Sequence, residues 1–274
     1  MAESPDTILF IHGLWMTPRS WEHFASRYES RGYKVLAPGW PGTEGEVEAL
    51  RSDPSLFDGL DLMAVVEHYD RIIRQLDAPP IIMGHSLGGT VTQILLSRGL
   101  GAAAVGFAPG TVKGVPDLPL STLRSSFPVL RNPFKRGKGI PFTKKQFAYA
   151  FANTLDREAS DQLWERYAVP AASCVLFDVA LATLSKNSPA TVNFRNDDRA
   201  PMLFMAFGED HVVPPKPIKH NVEKYAGSKA LTEYREFPGR PHFPGVPGWE
   251  EVADVALSWA LENATVRRPL VVAS

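Results

Sequence analysis

A serine flanked by glycines stands at the end of a short apolar run in this sequence. Residues 81–89 read IIMGHSLGG, so Ser86 is the centre of a G-x-S-x-G pattern, and a segment with helical spacing follows it. A sharp strand-to-helix turn would hold such a serine in a strained backbone conformation with its Oγ exposed to attack a carbonyl carbon. Side chains at Gly84 and Gly88 would obstruct the close pass of the strand and the helix. The pattern therefore predicts a nucleophilic serine rather than a serine that has no catalytic role in a purely structural turn.

A serine hydroxyl needs a base to take its proton and a carboxylate to orient that base. In a turn of this kind the acid and then the histidine follow the serine along the chain. Of seven histidines, His242 satisfies that order, in the Pro/Gly-rich loop 238–242 after the last predicted strand. His211 is a possible base but adjoins the acid candidates, and we expect the His85 side chain to be directed elsewhere. Glu209 and Asp210 are both candidates for the acid.

The negative oxygen that forms during such an attack needs backbone N–H donors. The Leu87 amide opens the helix after the serine and gains from its dipole. The second donor should come from the loop after the first strand, where Leu14 is the candidate and Trp15 the reserve. His12, in the same loop, either braces it by hydrogen bonding or only packs there.

Apolar runs and helical periodicities alternate on both sides of the serine. Buried strands are predicted at 7–11, at 33–37, immediately before Ser86, and at 102–107, with later strands at 201–207 and 231–237. Helices are predicted from Thr17, over 62–76, after Ser86, from Pro214 to Tyr225 and over 249–261, whereas residues 43–59 are predicted to be irregular. This alternation predicts an α/β fold with a mostly parallel sheet and helices on both faces. The active site should then lie at the carboxyl ends of the strands.

The alternation stops between residues 110 and 198. Helices are predicted there at 143–154, 156–168 and 171–184, with no strand between them. We expect an α/β core made of residues 1–109 and 199–274, and a mostly helical lid at 110–198 that covers it. The aromatic residues of that segment either form an apolar acyl pocket or pack in the core of the lid itself; they are Phe142, Phe147, Tyr149, Phe151, Trp164, Tyr167 and Phe177.

Four motifs in this order resemble the α/β-hydrolase superfamily, in its serine-nucleophile, esterase-like branch. They are His12-Gly13, the 84–88 pentapeptide, Gly208-Glu209-Asp210, and His242 in its loop. The resemblance favours Asp210 as the acid. It implies cofactor-free and metal-free hydrolysis of carboxylic esters, or of related lactones or thioesters, with small to medium apolar acyl groups, through an acyl-enzyme. Relatives also include lyases, C–C hydrolases, acyltransferases and small-molecule receptors, which leaves those alternatives open.

Two features depart from that resemblance. The chain begins at what is similar to the third strand of the family, so we expect the usual N-terminal hairpin to be absent. Gly39 stands where relatives often carry Asp, in a loop that borders their site.

Composition and charge restrict the partners. The chain has 274 residues, of which 44% are hydrophobic and 22% charged, and its net charge is −1. We therefore expect a small-molecule substrate and neither nucleic acid nor membrane as a partner, with monomer and homodimer both open. Cys174 is the only cysteine, which excludes a disulfide within the chain. No signal peptide or membrane-spanning run is evident, so a cytoplasmic location is expected by default.

One basic stretch lies within the predicted lid. Residues 131–145 contain six basic residues and no acidic one. They either recognise an anionic substrate, such as a phosphate-bearing thioester, or form a solvated loop.

Overall fold

The structure, a computed structural model, describes residues 5–265. Its centre is a six-stranded, wholly parallel sheet with strand order β2-β1-β3-β4-β7-β8. The strands are β1 (Thr7–Ile11), β2 (Lys34–Leu36), β3 (Ile81–His85), β4 (Ala103–Phe107), β5 (Gly139–Ile140), β6 (Ala171–Ala172), β7 (Met202–Phe207) and β8 (Thr232–Phe237). The α/β fold class expected from the sequence is confirmed.

Ten α-helices connect or flank these strands in the described part of the chain. They are α1 (Glu22–Glu29), α2 (Val47–Ser52), α3 (Leu62–Arg74), α4 (Leu87–Ser97), α5 (Leu120–Leu130), α6 (Lys144–Ala150), α7 (Arg157–Tyr167), α8 (Ser173–Ala180), α9 (Pro215–Lys224) and α10 (Trp249–Asn263). None of the helices within residues 5–265 combines the length and apolarity that crossing a membrane would need.

The sheet separates two hydrophobic clusters. Every residue of β1, β3, β4 and β7 is buried, as expected for strands covered by helices on both faces. Because side chains alternate along a strand, Phe10 packs with α1 and α10 on one face, and Leu9 packs with α3 and α4 on the other.

Two predictions about the first third of the chain are wrong. β2 is half-exposed rather than buried, because it forms one edge of the sheet and has only β1 as a neighbour. The stretch 43–59 is not wholly irregular: α2 and a short 3₁₀ turn at Pro54–Phe57 lie within it. Val47 and Leu50, spaced one helical turn apart, are buried and anchor α2 to the core.

Between β4 and β7 the chain leaves the sheet. The three helices predicted there are present as α6, α7 and α8, each shorter than expected. A capping box at Thr143 starts α6, and the Asp156 carboxylate caps α7. α5 is an additional helix whose interior proline, Pro128, obscured it in the sequence. The expectation of no strand is also wrong, because β5 and β6 form a two-residue antiparallel pair.

Candidate active site

Ser86 occupies the turn between β3 and α4. Its backbone has φ 54° and ψ −122°, a left-handed conformation that costs a non-glycine residue about 1–3 kcal/mol. Two hydrogen bonds hold the turn: the Ser86 amide donates to the Phe107 carbonyl at 3.0 Å, and the Gly110 amide donates to the Ser86 carbonyl at 2.7 Å. The strain predicted from the pentapeptide is therefore present, and β4 and its exit loop maintain it.

Three glycines permit the close packing around this turn. A Cβ at Gly84 would lie 2.3 Å from the Gly88 carbonyl oxygen, as the sequence argument anticipated. A Cβ at Gly88 would lie 2.2 Å from the Ile11 carbonyl oxygen, so this glycine makes room for β1 rather than for β3. Gly13 was not assigned a steric role, yet a Cβ there would stand 2.8 Å from the Ser86 Cβ.

Asp210 and His242 form a buried pair at the carboxyl end of the sheet. His242 Nδ1 donates to Asp210 Oδ2 at 2.6 Å, while Asp210 Oδ1 accepts from the Val212 and Val213 amides at 2.6 and 2.9 Å. These bonds fix the carboxylate and leave His242 Nε2 as the ring nitrogen with a lone pair. Within residues 5–265 that nitrogen is buried and has no hydrogen-bond partner. It is available to accept a proton.

His85, which precedes the serine turn, forms a hydrogen bond to the loop 238–242 that carries His242. Its Nε2 donates to the His242 carbonyl oxygen at 3.0 Å, and the two imidazole rings lie 4.6 Å apart. Burial lowers the pKa of His85 well below 6.5, so the ring is neutral near neutral pH. The sequence argument expected this side chain to be directed elsewhere; it is directed at the backbone of His242. This contact brings His242 beside the residue that precedes Ser86.

The rival candidates lie outside this arrangement. The Glu209 side chain is exposed, whereas Asp210 is 3% exposed. His211 Nδ1 donates to the Tyr149 carbonyl oxygen at 2.9 Å, and its ring stacks on Tyr149. Neither residue is part of the buried hydrogen-bonded pair.

His12 bridges two loops at the same end of the sheet. Its Nδ1 donates to the Gly13 carbonyl oxygen at 2.9 Å, and its Nε2 accepts from the Trp40 amide at 3.3 Å. The ring also stacks on the Trp40 indole. Burial lowers the pKa of His12 to about 4, so it is a neutral bridge near neutral pH. Of the two roles left open for His12, the geometry favours bracing.

The two amides predicted to hold an oxyanion face the same cavity as Ser86. Leu14 and Leu87 both line it, and in the described part of the chain neither backbone N–H donates to a protein acceptor. Trp15, the reserve candidate, also lines the cavity and has φ 65°. Its carbonyl oxygen accepts from the Val169 amide at 2.9 Å, which ties this loop to the segment between β4 and β7.

A largely apolar cavity of about 300 Å³ lies above Ser86. Residues after β1, β3, β4 and β7 supply one side of its lining, namely Leu14, Trp15, Ser86, Leu87, Gly110, Thr111, Val112, Val212, Val213 and Pro217. The rest of the lining comes from further along the segment between β4 and β7, namely Val115, Pro116, Asp117, Leu118, Thr122, Ser126, Leu130, Leu176, Val179, Ala180, Thr183 and Leu184. None of the seven aromatic residues named from the sequence lines it, and five of them are buried in the hydrophobic core instead.

No group of three or more His, Cys, Asp or Glu side chains within residues 5–265 is arranged to hold a metal ion.

Comparisons with known proteins agree with this architecture. A family model described as the alpha/beta hydrolase family matches residues 8–255. None of the curated proteins compared with the chain matches it.

Several solved structures are similar over nearly the whole chain. A monoacylglycerol lipase from Paleococcus ferrophilus is 18% identical, with TM-score 0.63, over 95% of this chain and 96% of that one. A pyrethroid hydrolase from Sphingobium faniae is 17% identical, with TM-score 0.65, over 94% and 98%. An extracellular alpha/beta-hydrolase from a Paenibacillus species is 19% identical, with TM-score 0.66, over 93% and 98%. At these identities the likeness concerns the fold, and the family match carries the assignment. The chain therefore belongs to the alpha/beta hydrolase family.

Proposed function

We propose that this hydrolase cleaves carboxylic esters through a Ser86–His242–Asp210 triad. One observation carries the proposal: a buried Asp210–His242 pair has a free ring nitrogen beside a strained serine turn that opens into an apolar cavity. A base oriented by a carboxylate is what a serine needs in order to become a nucleophile.

The first half of the reaction forms an acyl-enzyme. His242 Nε2 takes the proton from Ser86 Oγ as that oxygen attacks the ester carbonyl carbon. The C=O electron pair moves to oxygen, and the Leu14 and Leu87 amides stabilise the resulting negative charge. The electron pair on the oxyanion re-forms the C=O bond, and the C–O bond to the alcohol breaks. The His242 imidazolium then gives its proton to the leaving alkoxide. Asp210 stabilises the imidazolium throughout, through its hydrogen bond to Nδ1.

Water completes the cycle. His242 Nε2 takes a proton from a water molecule, whose oxygen attacks the acyl carbon. The Ser86–acyl bond breaks, Ser86 Oγ recovers its proton from His242, and the free acid leaves. The two amides serve both tetrahedral intermediates, because the oxyanion occupies the same position in each.

The cavity favours an uncharged, apolar acyl or alcohol group. Among residues 5–265, the lining contains no Lys, Arg or His side chain, and Asp117 is its only charged residue. The Asp117 carboxylate is itself paired with His220 Nδ1. An anionic substrate would find no counter-charge in this lining, whereas an alkyl or aryl ester would bury its apolar surface against Leu, Val and Pro side chains.

We further propose that residues 110–198 act as the lid expected from the sequence, over a core formed by 1–109 and 199–274. The supporting observation is that this segment contributes 15 of the 22 residues that line the cavity above Ser86. A cover of this kind excludes water from the reacting atoms and sets the acyl preference.

Hydrolysis of a graded series of p-nitrophenyl esters tests the proposal. We expect turnover by the wild-type protein, with kcat/KM rising with acyl length until the cavity is filled. We expect the Ser86→Ala variant to lose roughly four to six orders of magnitude in kcat, down to the residual rate that binding alone supports. A folded wild-type protein that turned over no ester would contradict the proposal, and saturable binding of the same esters without turnover would indicate a receptor.

A further inference from the structure

Exposed apolar side chains are concentrated on one part of the surface. Of the ten large hydrophobic residues exposed in the described part of the chain, seven lie between β4 and β7, and five of these lie between Leu118 and Phe134. The exposed fraction reaches 84% at Leu120 and 96% at Phe134. Single exposed leucines are ordinary on protein surfaces, but such a cluster is typical of an interaction site.

Helix α5 carries the centre of this cluster. Leu120, Leu123 and Phe127 follow one another at helical spacing and are all exposed, whereas Ser125, Ser126 and Val129 face inward and are buried. The helix is thus apolar on its outer side, the side that a monomeric soluble helix normally keeps polar. We refer to Leu120, Leu123, Phe127 and Phe134 as the apolar face.

The segment that carries this face has charged residues of one sign only. Residues 118–155 contain seven basic residues and no Asp or Glu. Arg136, Lys138 and Lys144 are paired with the carboxylates of Asp178, Asp58 and Glu165.

Of the other four basic residues, Lys145 lies on α6, and the remaining three lie beside the apolar face along the chain. Arg124, Arg131 and Lys135 are exposed, and none has a carboxylate partner within residues 5–265. Arg124 packs its guanidinium against the Tyr149 ring at 3.8 Å. Arg124 and Arg131 line one shallow groove together with Leu123 and Phe127. Apolar and basic side chains therefore share one groove, and Leu120, Phe134 and Lys135 lie within four residues of it along the chain.

This surface reaches the mouth of the active-site cavity. Leu130 lines both the cavity above Ser86 and the groove beside Phe127. Leu118 is 54% exposed and Leu184 is 84% exposed, and both also line the cavity. Apolar side chains therefore connect the outer surface with the lining of the cavity.

From these observations we propose that the apolar face and its three cations dock on an anionic lipid surface. Apolar side chains that project beyond the protein insert at the boundary between headgroups and acyl chains, and neighbouring cations are attracted to the anionic headgroups. The expectation of no membrane partner rested on a net charge of −1, a sum that conceals this local excess of positive charge. Docked in this way, the protein would present its cavity mouth to apolar esters dissolved in the lipid. This proposal concerns binding and does not depend on the proposed reaction.

Vesicle flotation tests the docking. Wild type and Ser86→Ala are each mixed with vesicles of phosphatidylcholine alone, or of phosphatidylcholine and phosphatidylglycerol in equal parts. We expect both proteins to float with the mixed vesicles and to remain mostly unbound with phosphatidylcholine. Equal flotation of the Ser86→Ala variant separates binding from turnover, so a failure of the proposed reaction would leave this result intact.

Two triple variants separate the contributions. Leu120→Ser/Phe127→Ser/Phe134→Ser should lower the partition coefficient about tenfold or more, because it removes the inserting side chains. Arg124→Gln/Arg131→Gln/Lys135→Gln should lower it about fivefold per charge removed, and only for anionic vesicles. None of these residues lines the cavity, so both variants should keep the wild-type kcat/KM on a water-soluble ester. Met63→Ser/Leu231→Ser, which changes exposed apolar residues elsewhere, is the matched control and should float like wild type.

Three results would overturn the proposal. The first is no flotation of wild type with anionic vesicles. The second is flotation that both triple variants leave unchanged. The third is a wild-type dimer by light scattering that the apolar triple variant converts to monomer without any vesicle binding, because the face would then be an interface between two copies of the chain.

Discussion

The two sides of the cavity differ in how their residues are held. The floor is the group of residues at the carboxyl ends of the strands. There Ser86, Asp210 and His242 are at most 3% exposed, and Ser86 alone of the three lines the cavity. Backbone amides fix the Asp210 carboxylate, which in turn holds the His242 ring. The roof is the part of the lining that α5, α8 and their loops supply, and it contains aliphatic side chains such as Leu118 and Leu184, which are more than half exposed. A floor of this kind suits chemistry that tolerates little displacement, and a roof of this kind suits binding that tolerates variation.

The largest effect should come from removing the carboxylate of the proposed triad. Asp210→Asn keeps the shape of the side chain but favours the wrong His242 tautomer, so we expect kcat to fall roughly 10⁴-fold. Steady-state kinetics on a p-nitrophenyl ester measures this loss. Glu209→Gln is the matched control, because the Glu209 carboxylate adjoins Asp210 in the chain but is exposed. This variant should change kcat less than about twofold. Equal losses in the two variants would contradict the assignment of Asp210.

The buried histidines of the floor should make the folded state sensitive to acid. The pKa of His12 falls from 6.5 to about 4 on folding, so the unfolded chain binds more protons between these pH values. The contribution of His12 to the free energy of unfolding is therefore fully present above pH 6.5 and is lost as the pH falls toward 4. Between these pH values the free energy of unfolding should fall by about 3 kcal/mol on account of His12. Burial of His85 acts in the same direction.

Urea unfolding of wild type and His12→Gln at a series of pH values tests this linkage. The variant should be less stable near neutral pH, and the difference in unfolding free energy between the two proteins should shrink on acidification. A difference that stayed constant from pH 6.5 down to 4 would show that His12 does not titrate as its burial requires.

A smaller effect should follow from crowding the floor without altering its chemistry. Gly13→Ala would place a methyl group 2.8 Å from the Ser86 Cβ, so the serine or the His12 loop must shift. We expect kcat/KM to fall about 10²-fold, the loss that a misplacement of about 1 Å can cause. Gly39→Ala in the neighbouring loop would meet its nearest atoms at an ordinary 3.7 Å and should cost little. The two variants, compared by kinetics and by thermal unfolding, separate a steric effect at the serine from general loop damage.

Substitutions in the roof should have the smallest effect, and they should change the preference between long and short acyl esters rather than the rate itself. Val179 lines the cavity, so Val179→Phe should shorten it and lower kcat/KM for a long acyl ester about tenfold relative to an acetyl ester. Leu181 lies two residues further on and does not line the cavity, so Leu181→Phe should leave the ratio unchanged. If both variants changed this kcat/KM ratio equally, the roof residues that line the cavity would not determine the acyl-length preference.

The sequence predicted the floor better than the roof, for a physical reason. The serine turn, the α/β order and the long α3 are encoded by local spacing, which a single sequence displays directly. The roof depends on which helices meet, and this requires the tertiary structure. Thus Phe142, Phe147 and Phe151 were candidates for the pocket on composition alone, yet they stack among themselves and with Trp15 in the core.

Some features of the floor also could not be read from the sequence. The bond from His85 to the His242 carbonyl joins residues 157 positions apart, and the Gly13–Ser86 contact joins the ends of two strands. Neither contact leaves a periodic or compositional signal. By contrast, the half-exposed character of β2 could have been suspected from Lys34, a charged residue at its start.

The most direct test of the account is to label the serine itself. Wild type, Ser86→Ala and Ser126→Ala are incubated with a fluorophosphonate and weighed by intact mass spectrometry. Ser126 is the matched control, because it too is buried and lines the cavity but lacks a strained turn and a histidine pair. We predict a single adduct on wild type and on Ser126→Ala, and none on Ser86→Ala. An adduct that persisted in Ser86→Ala, or a folded wild-type protein that took up no probe, would contradict the claim that Ser86 is the activated nucleophile.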